Sequence, residues 1–187
     1  MPRSKLLATC MLAGLLSAVL CWAGGSWLGS ASLLYKPYPG IVLGLVLFSL
    51  GEYLHLKPKL LGMWSALILV VFSVLGWRLS IGVGYEYGQP VPYVAAGTVG
   101  AFTVALGALL AWRIKQRRMQ FVAMITGAGT LGGLVFQVLE SLFQMSDDIW
   151  VLVLYLEWQV ILLLGIGLAL AYTGRGSSEY SSGVTHG

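Results

Sequence analysis

Charge is scarce in this 187-residue chain: Asp, Glu, Lys and Arg make up 10% of it, where a soluble domain carries about 25%. Together with 58% hydrophobic residues and a mean hydropathy of +0.84, that scarcity excludes an ordinary water-soluble domain. Histidine is nearly absent. Only His55 and His186 occur, so bis-histidine haem within a helix bundle is excluded. The two cysteines, Cys10 and Cys21, lie eleven residues apart in one apolar stretch. On a helix that is ~16 Å along the axis, beyond disulfide reach, and two cysteines cannot hold an iron–sulfur cluster. Gly-x-Ser-x-Gly, His-Glu-x-x-His and Walker motifs are missing. The sequence predicts no catalytic set, no metal site and no cofactor.

What the chain does contain is six apolar stretches, at about residues 6–23, 41–56, 60–78, 93–112, 121–143 and 149–172. Each approaches the ~20 residues a transmembrane helix needs, and together they leave no room for a soluble catalytic or nucleotide-binding domain. Positive charge falls on every second connection. Arg3 and Lys5 precede the first stretch, Lys57 and Lys59 follow the second, Arg113, Lys115, Arg117 and Arg118 follow the fourth, and Arg175 follows the sixth. Only Lys36 and Arg78 fall on the other side. Basic short loops stay cytoplasmic, so the predicted fold is an all-α polytopic membrane helix bundle. It has six transmembrane helices, with N-terminus and C-terminus cytoplasmic. The inner membrane is its place if the source is bacterial. The net charge of +4 follows these loops and forms no continuous patch, so it implies anionic headgroups and no nucleic acid.

Residues 1–173 read as one six-helix domain and 174–187 as a Gly/Ser-rich cytoplasmic tail. The first stretch follows a basic start as a signal peptide would, but no A-x-A site follows it, and it reads as a retained first span. Leu79 to Pro92, rich in Gly and Pro, reads as the longest outside loop. Gly44, Phe48, Glu52 and Leu54 can be laid over Gly132, Phe136, Glu140 and Leu142 at a constant offset of 88. That suggests a 3+3 inverted repeat, 1–88 on 89–173, although so apolar a composition gives such matches by chance. Two small-residue rows, Gly97–Ala101–Ala105 and Gly129–Gly133, suit close helix packing. Packing inside the bundle is favoured over self-association through these faces.

Buried acids are the candidate functional residues, because a charge near the bilayer centre costs several kcal/mol. Glu52 and Glu140 lie about four residues from the ends of their spans, ~6 Å deep, where they reach the headgroups. Glu157 lies eight residues into the sixth stretch, ~12 Å deep, and no Lys or Arg matches that depth. Gln137, Glu140 and Gln144 share one face of the fifth helix, predicting a polar seam with Glu157 and Gln159. The seam is either interhelical hydrogen bonding, typically ~0.6 kcal/mol per contact, or a proton or cation site. Glu52 and His55, three apart on the second helix, form a second-tier inner pair. Sparse polar content favours a non-catalytic accessory subunit of a larger membrane assembly, bound to other subunits and the lipid bilayer. A small ion- or proton-coupled channel or secondary transporter using Glu157 is the alternative, and a lipid or quinone enzyme is a distant third.

Overall fold

The computed structural model describes residues 1–28, 36–56, 62–86, 92–114, 117–143 and 147–173. Six helices follow one another: α1 (Arg3–Leu28), α2 (Tyr38–Tyr53), α3 (Gly62–Glu86), α4 (Pro92–Ala111), α5 (Arg118–Leu142) and α6 (Asp147–Thr173). Each covers one of the apolar stretches. Five are long and apolar enough to cross a membrane; α2, with 16 residues, is shorter. The Gly/Ser-rich tail lies outside the described residues.

The ends of the helices depart from the sequence expectation. α1 continues through Gly24 and Gly25 to Leu28. α3 runs on to Glu86, through the first half of what composition marks as a loop. Glycine costs only about 1 kcal/mol in a helix interior, and no proline intervenes before Pro90. The added turn is also held from outside, since the Ser80 hydroxyl lies 2.8 Å from both the Gly76 and Ala96 carbonyls, joining α3 to α4. α2 begins where proline is tolerated, with Pro37 as N-cap and Pro39 in the first turn, where a missing N–H costs nothing. It ends at Tyr53, after which His55 turns left-handed (φ 51°) and its amide bonds the Glu52 carbonyl at 3.0 Å. His55 therefore lies past the helix end, and the expected shared helical face with Glu52 does not form.

Every helix packs on its neighbours in sequence, and α1 closes on α6, so the bundle is an up-and-down ring. Lipid gives helices no hydrophobic reason to associate, and close backbone approach supplies the attraction instead. Glycine provides that approach around the ring. A Cβ on Gly14 of α1 would stand 2.8 Å from the Val160 Cα of α6, and one on Gly44 of α2 would stand 2.5 Å from the Val70 Cα of α3. Between α4 and α5 the two small-residue rows meet each other. A Cβ on Gly97 would strike the Gly129 carbonyl, and one on Gly129 would strike Ala101. Ala101 and Ala105 are fully buried, and Thr98 and Thr130 share a 2.8 Å hydrogen bond along the seam. These faces are covered within the chain, so self-association would need other surfaces.

The ring is filled at the end that holds the termini. Leu43, Leu47, Leu69, Phe121, Ile125, Leu162, Leu163 and Ile166 are buried there, and Trp112 reaches Gly51 of α2. The outer surface carries exposed leucines such as Leu12, Leu16, Leu45, Leu131 and Leu134, as lipid contact requires. Replacing Gly133, whose Cβ would stand 2.8 Å from the Val94 Cα, tests this packing. Gly133→Leu is expected to cost about 1–3 kcal/mol or more. Gly127→Leu on the same helix, where nothing lies within 4 Å, should stay within about 0.5 kcal/mol. Denaturant titration in detergent distinguishes the two, and equal costs would refute the packing argument.

Candidate functional site

The described residues leave space at the end of the ring away from the termini. A cavity of about 840 Å³ lies there, and residues of all six helices line it. Gly25 of α1 and Tyr38 of α2 stand on one side, Gly97 of α4 and Gly133 of α5 on the other. α6 contributes most, with Trp150, Leu154, Tyr155, Glu157 and Trp158. Their spacing of three and four places them on one helical face.

Aromatic rings shape the walls. Trp77 of α3 packs on Tyr155 at 5.5 Å and on Trp158 at 5.9 Å, bridging α3 and α6 across the ring. Opposite, Phe136 meets Tyr93 at 5.0 Å and Trp150 at 4.3 Å, both edge to face. Such tilted and edge-on pairs are the favoured geometries. Polar groups fix these rings. The Trp77 indole N–H donates to the Lys36 carbonyl at 3.1 Å, the Tyr38 hydroxyl to the Leu20 carbonyl at 3.2 Å, and the Tyr93 hydroxyl to Glu140 Oε1 at 3.1 Å.

Glu157 stands apart from Glu52 and Glu140. Both of its carboxylate oxygens are buried, and neither has a hydrogen-bond partner among the described residues. They rest on α5 at Gly132, where a Cβ would come within 3.0 Å of Oε1, so glycine leaves the carboxylate its room. Such a group needs compensation, because an unpaired charge in a low-dielectric site costs several kcal/mol. Lys36 and Arg78, both exposed, line the same cavity, and neither forms an ion pair among the described residues.

The remaining sequence candidates are dispersed. Glu140 is tied to Tyr93 of α4 beside the cavity. Gln137 is half-buried and makes no side-chain hydrogen bond among the described residues, and the group facing Glu157 on α5 is Gly132. Gln144 lies outside the described residues. Gln159 is fully buried on the other side of α6, its amide donating to Cys21 Sγ of α1 at 3.1 Å. Two residues turn a helix by about 200°, which parts Gln159 from Glu157. Glu52 and His55 are exposed at the far end of the bundle, and no cluster of three or more His, Cys, Asp or Glu occurs among the described residues. Sequence reasoning missed the aromatic lining and the placement of Lys36 and Arg78 at the same cavity. The available signal was the Trp150, Leu154, Glu157, Trp158 stripe and the isolation of Lys36 and Arg78.

These features define a helical, multi-pass integral membrane protein, by the length and composition of its helices, with a cavity of solute size. No protein family, curated protein or solved structure matches the chain.

Cysteine accessibility tests the cavity directly, since the two native thiols are buried and provide a silent background. Leu154→Cys, on the wall, should react with a water-soluble thiol reagent in the folded protein. Leu163→Cys, at a position fully buried in the packed half, should react only after denaturation. If the Leu154→Cys variant stays unlabelled at equal folded content, the cavity is closed to water.

Proposed function

We propose that the chain is a six-span membrane protein that admits a small solute into an outward-facing cavity and couples its passage to a proton or cation at Glu157. The observation carrying this reading is the Glu157 carboxylate, unpartnered among the described residues, beside a cavity that all six helices build. The lack of a complete site in the sequence favours an accessory subunit, and the cavity weakens that ground.

Topology follows from packing and charge together. α2 rises only ~24 Å, short of a ~30 Å hydrocarbon core, yet it lies between α1 and α3 in the ring. Local thinning of the bilayer or burial of its ends accommodates a short span at modest cost. The cavity opens at the end carrying Lys36 and Arg78, and Arg3, Lys5, Arg113, Arg117 and Arg118 gather at the other. By the positive-inside rule the termini are then cytoplasmic and the mouth faces outward. An inverted repeat of 1–88 on 89–173 would produce this same ring, with α3·α4 and α6·α1 as its interfaces.

Phe121, Ile125, Leu162, Leu163 and Ile166 close the bundle below the cavity at zero exposure. A closed floor favours a carrier over a standing pore, with access alternating between the two sides. The test needs no known substrate. On a supported membrane, a step in external pH should draw a transient current from reconstituted wild-type protein. Glu157→Gln should reduce it roughly tenfold or more, with helix content and gel-filtration behaviour retained. An undiminished current in the variant sinks the proposal. Co-purification of a stoichiometric partner, seen by native mass spectrometry, with no current from either form, would restore the subunit reading.

A further inference from the structure

Charges of both signs line the cavity, and together they describe a ligand. Glu157 provides a negative group without a counter-ion among the described residues. Lys36, just before α2, and Arg78, two turns inside the end of α3, provide positive groups at the same cavity, without carboxylate partners among the described residues. Trp77 ties these groups to one wall. Its indole nitrogen bonds the Lys36 backbone, Arg78 follows it in the chain, and its ring packs on Trp158, next to Glu157. Aromatic faces line the same cavity, with Trp77, Tyr155 and Trp158 on one wall.

A simple anion would meet Glu157 as a repelling neighbour, and a simple cation would meet Lys36 and Arg78 as repelling ones. A multiply charged anion would meet that repulsion more strongly, and the Ser80 hydroxyl is already committed to backbone carbonyls. Indole and phenol faces attract ammonium centres, quaternary ones above all, and the attraction grows once water is excluded. The volume of about 840 Å³ suits a small solute or a lipid headgroup.

We infer that this cavity binds an amphoteric ligand, an ammonium centre joined to an anionic group, with the ammonium held by Glu157 and the aromatic wall and the anion held by Lys36 and Arg78. The inference rests on the solute-binding reading above and names its ligand class. The carboxylate now lies on Gly132; rotation about its side-chain torsions between staggered positions brings it to the ammonium. The same chemistry exists in free betaines and amino acids and in the headgroups of zwitterionic phospholipids.

Calorimetric titration of the purified full-length protein, in nanodiscs of phosphatidylglycerol, tests the class with three probes: glycine betaine, choline and acetate. On the wild type, glycine betaine should bind roughly tenfold more tightly than choline, and acetate weakest of all. Glu157→Gln should weaken both ammonium probes about tenfold, and Lys36→Gln with Arg78→Gln should collapse the betaine preference over choline. The order of probes on the wild type tests the class even where a variant fails to fold. Choline equal to betaine, acetate as the tightest probe, or no binding by any probe overturns the inference. In discs of phosphatidylcholine, lost betaine binding assigns the site to a lipid headgroup and retained binding assigns it to a free solute; either upholds the class. Intact pH-step currents without this selectivity would refute the ligand class alone, and selectivity without currents would refute the coupled transport alone.

Discussion

The structure depends on one constraint: helices in hydrocarbon gain nothing by hiding apolar side chains from their surroundings. Attraction must come from backbones close enough for dispersion and weak polar contacts. Gly14, Gly44, Gly76 and Gly97 bring that closeness to four of the ring's helix pairs, each against backbone of the neighbouring helix. Many individually small contacts then add up. The ring geometry follows, because short connections make sequence neighbours into packing neighbours, and α1 has only α6 left to meet.

A ring of six helices must do something with its middle. Large side chains occupy it at one end, where Leu43, Leu47, Phe121, Ile125 and Trp112 converge. At the other end, glycine on α4 and α5 and rings standing edge to face leave space. The two halves thus share one packing logic and differ in side-chain volume. The open half is where Glu157 lies, its carboxylate without a hydrogen-bond partner among the described residues. Gln159, two residues on, is spent differently, fastening α6 to α1 through Cys21. One face of α6 therefore serves the ring and another serves the cavity.

Hydropathy and charge made the helices legible, since burial in lipid is a property of composition and needs no tertiary knowledge. The singling out of Glu157 also required only depth along one helix. Its surroundings were not legible for a specific reason. Helical spacing joined Gln137 to Glu157 in one seam, but it carries no information on how α5 is rotated or shifted, and the structure puts Gly132 beside Glu157. The same ignorance of rotation drew Gln159 into a seam that it turns away from. Helix ends failed more mildly: glycine at 82 and 84 lowers helix propensity, and a tertiary tie from Ser80 to α4 outweighs it. His55 shows the converse, where a backbone reversal that no residue type announced broke a helical spacing.

The position of Glu157 has a further energetic consequence. A carboxylate without a partner in a low-dielectric wall raises the free energy of whichever state leaves it charged and alone. A proton or an ammonium centre lowers that free energy, so occupancy and conformation are linked before any moving part is specified. A ligand shifts an equilibrium only by its difference in affinity between the two states. At Gly132 the room a Cβ would take is left to the Glu157 carboxylate, so that a side chain forms the α5–α6 contact there. The α5–α6 contact is thus looser in kind at Gly132 than at Gly165, where a Cβ would strike Ala128.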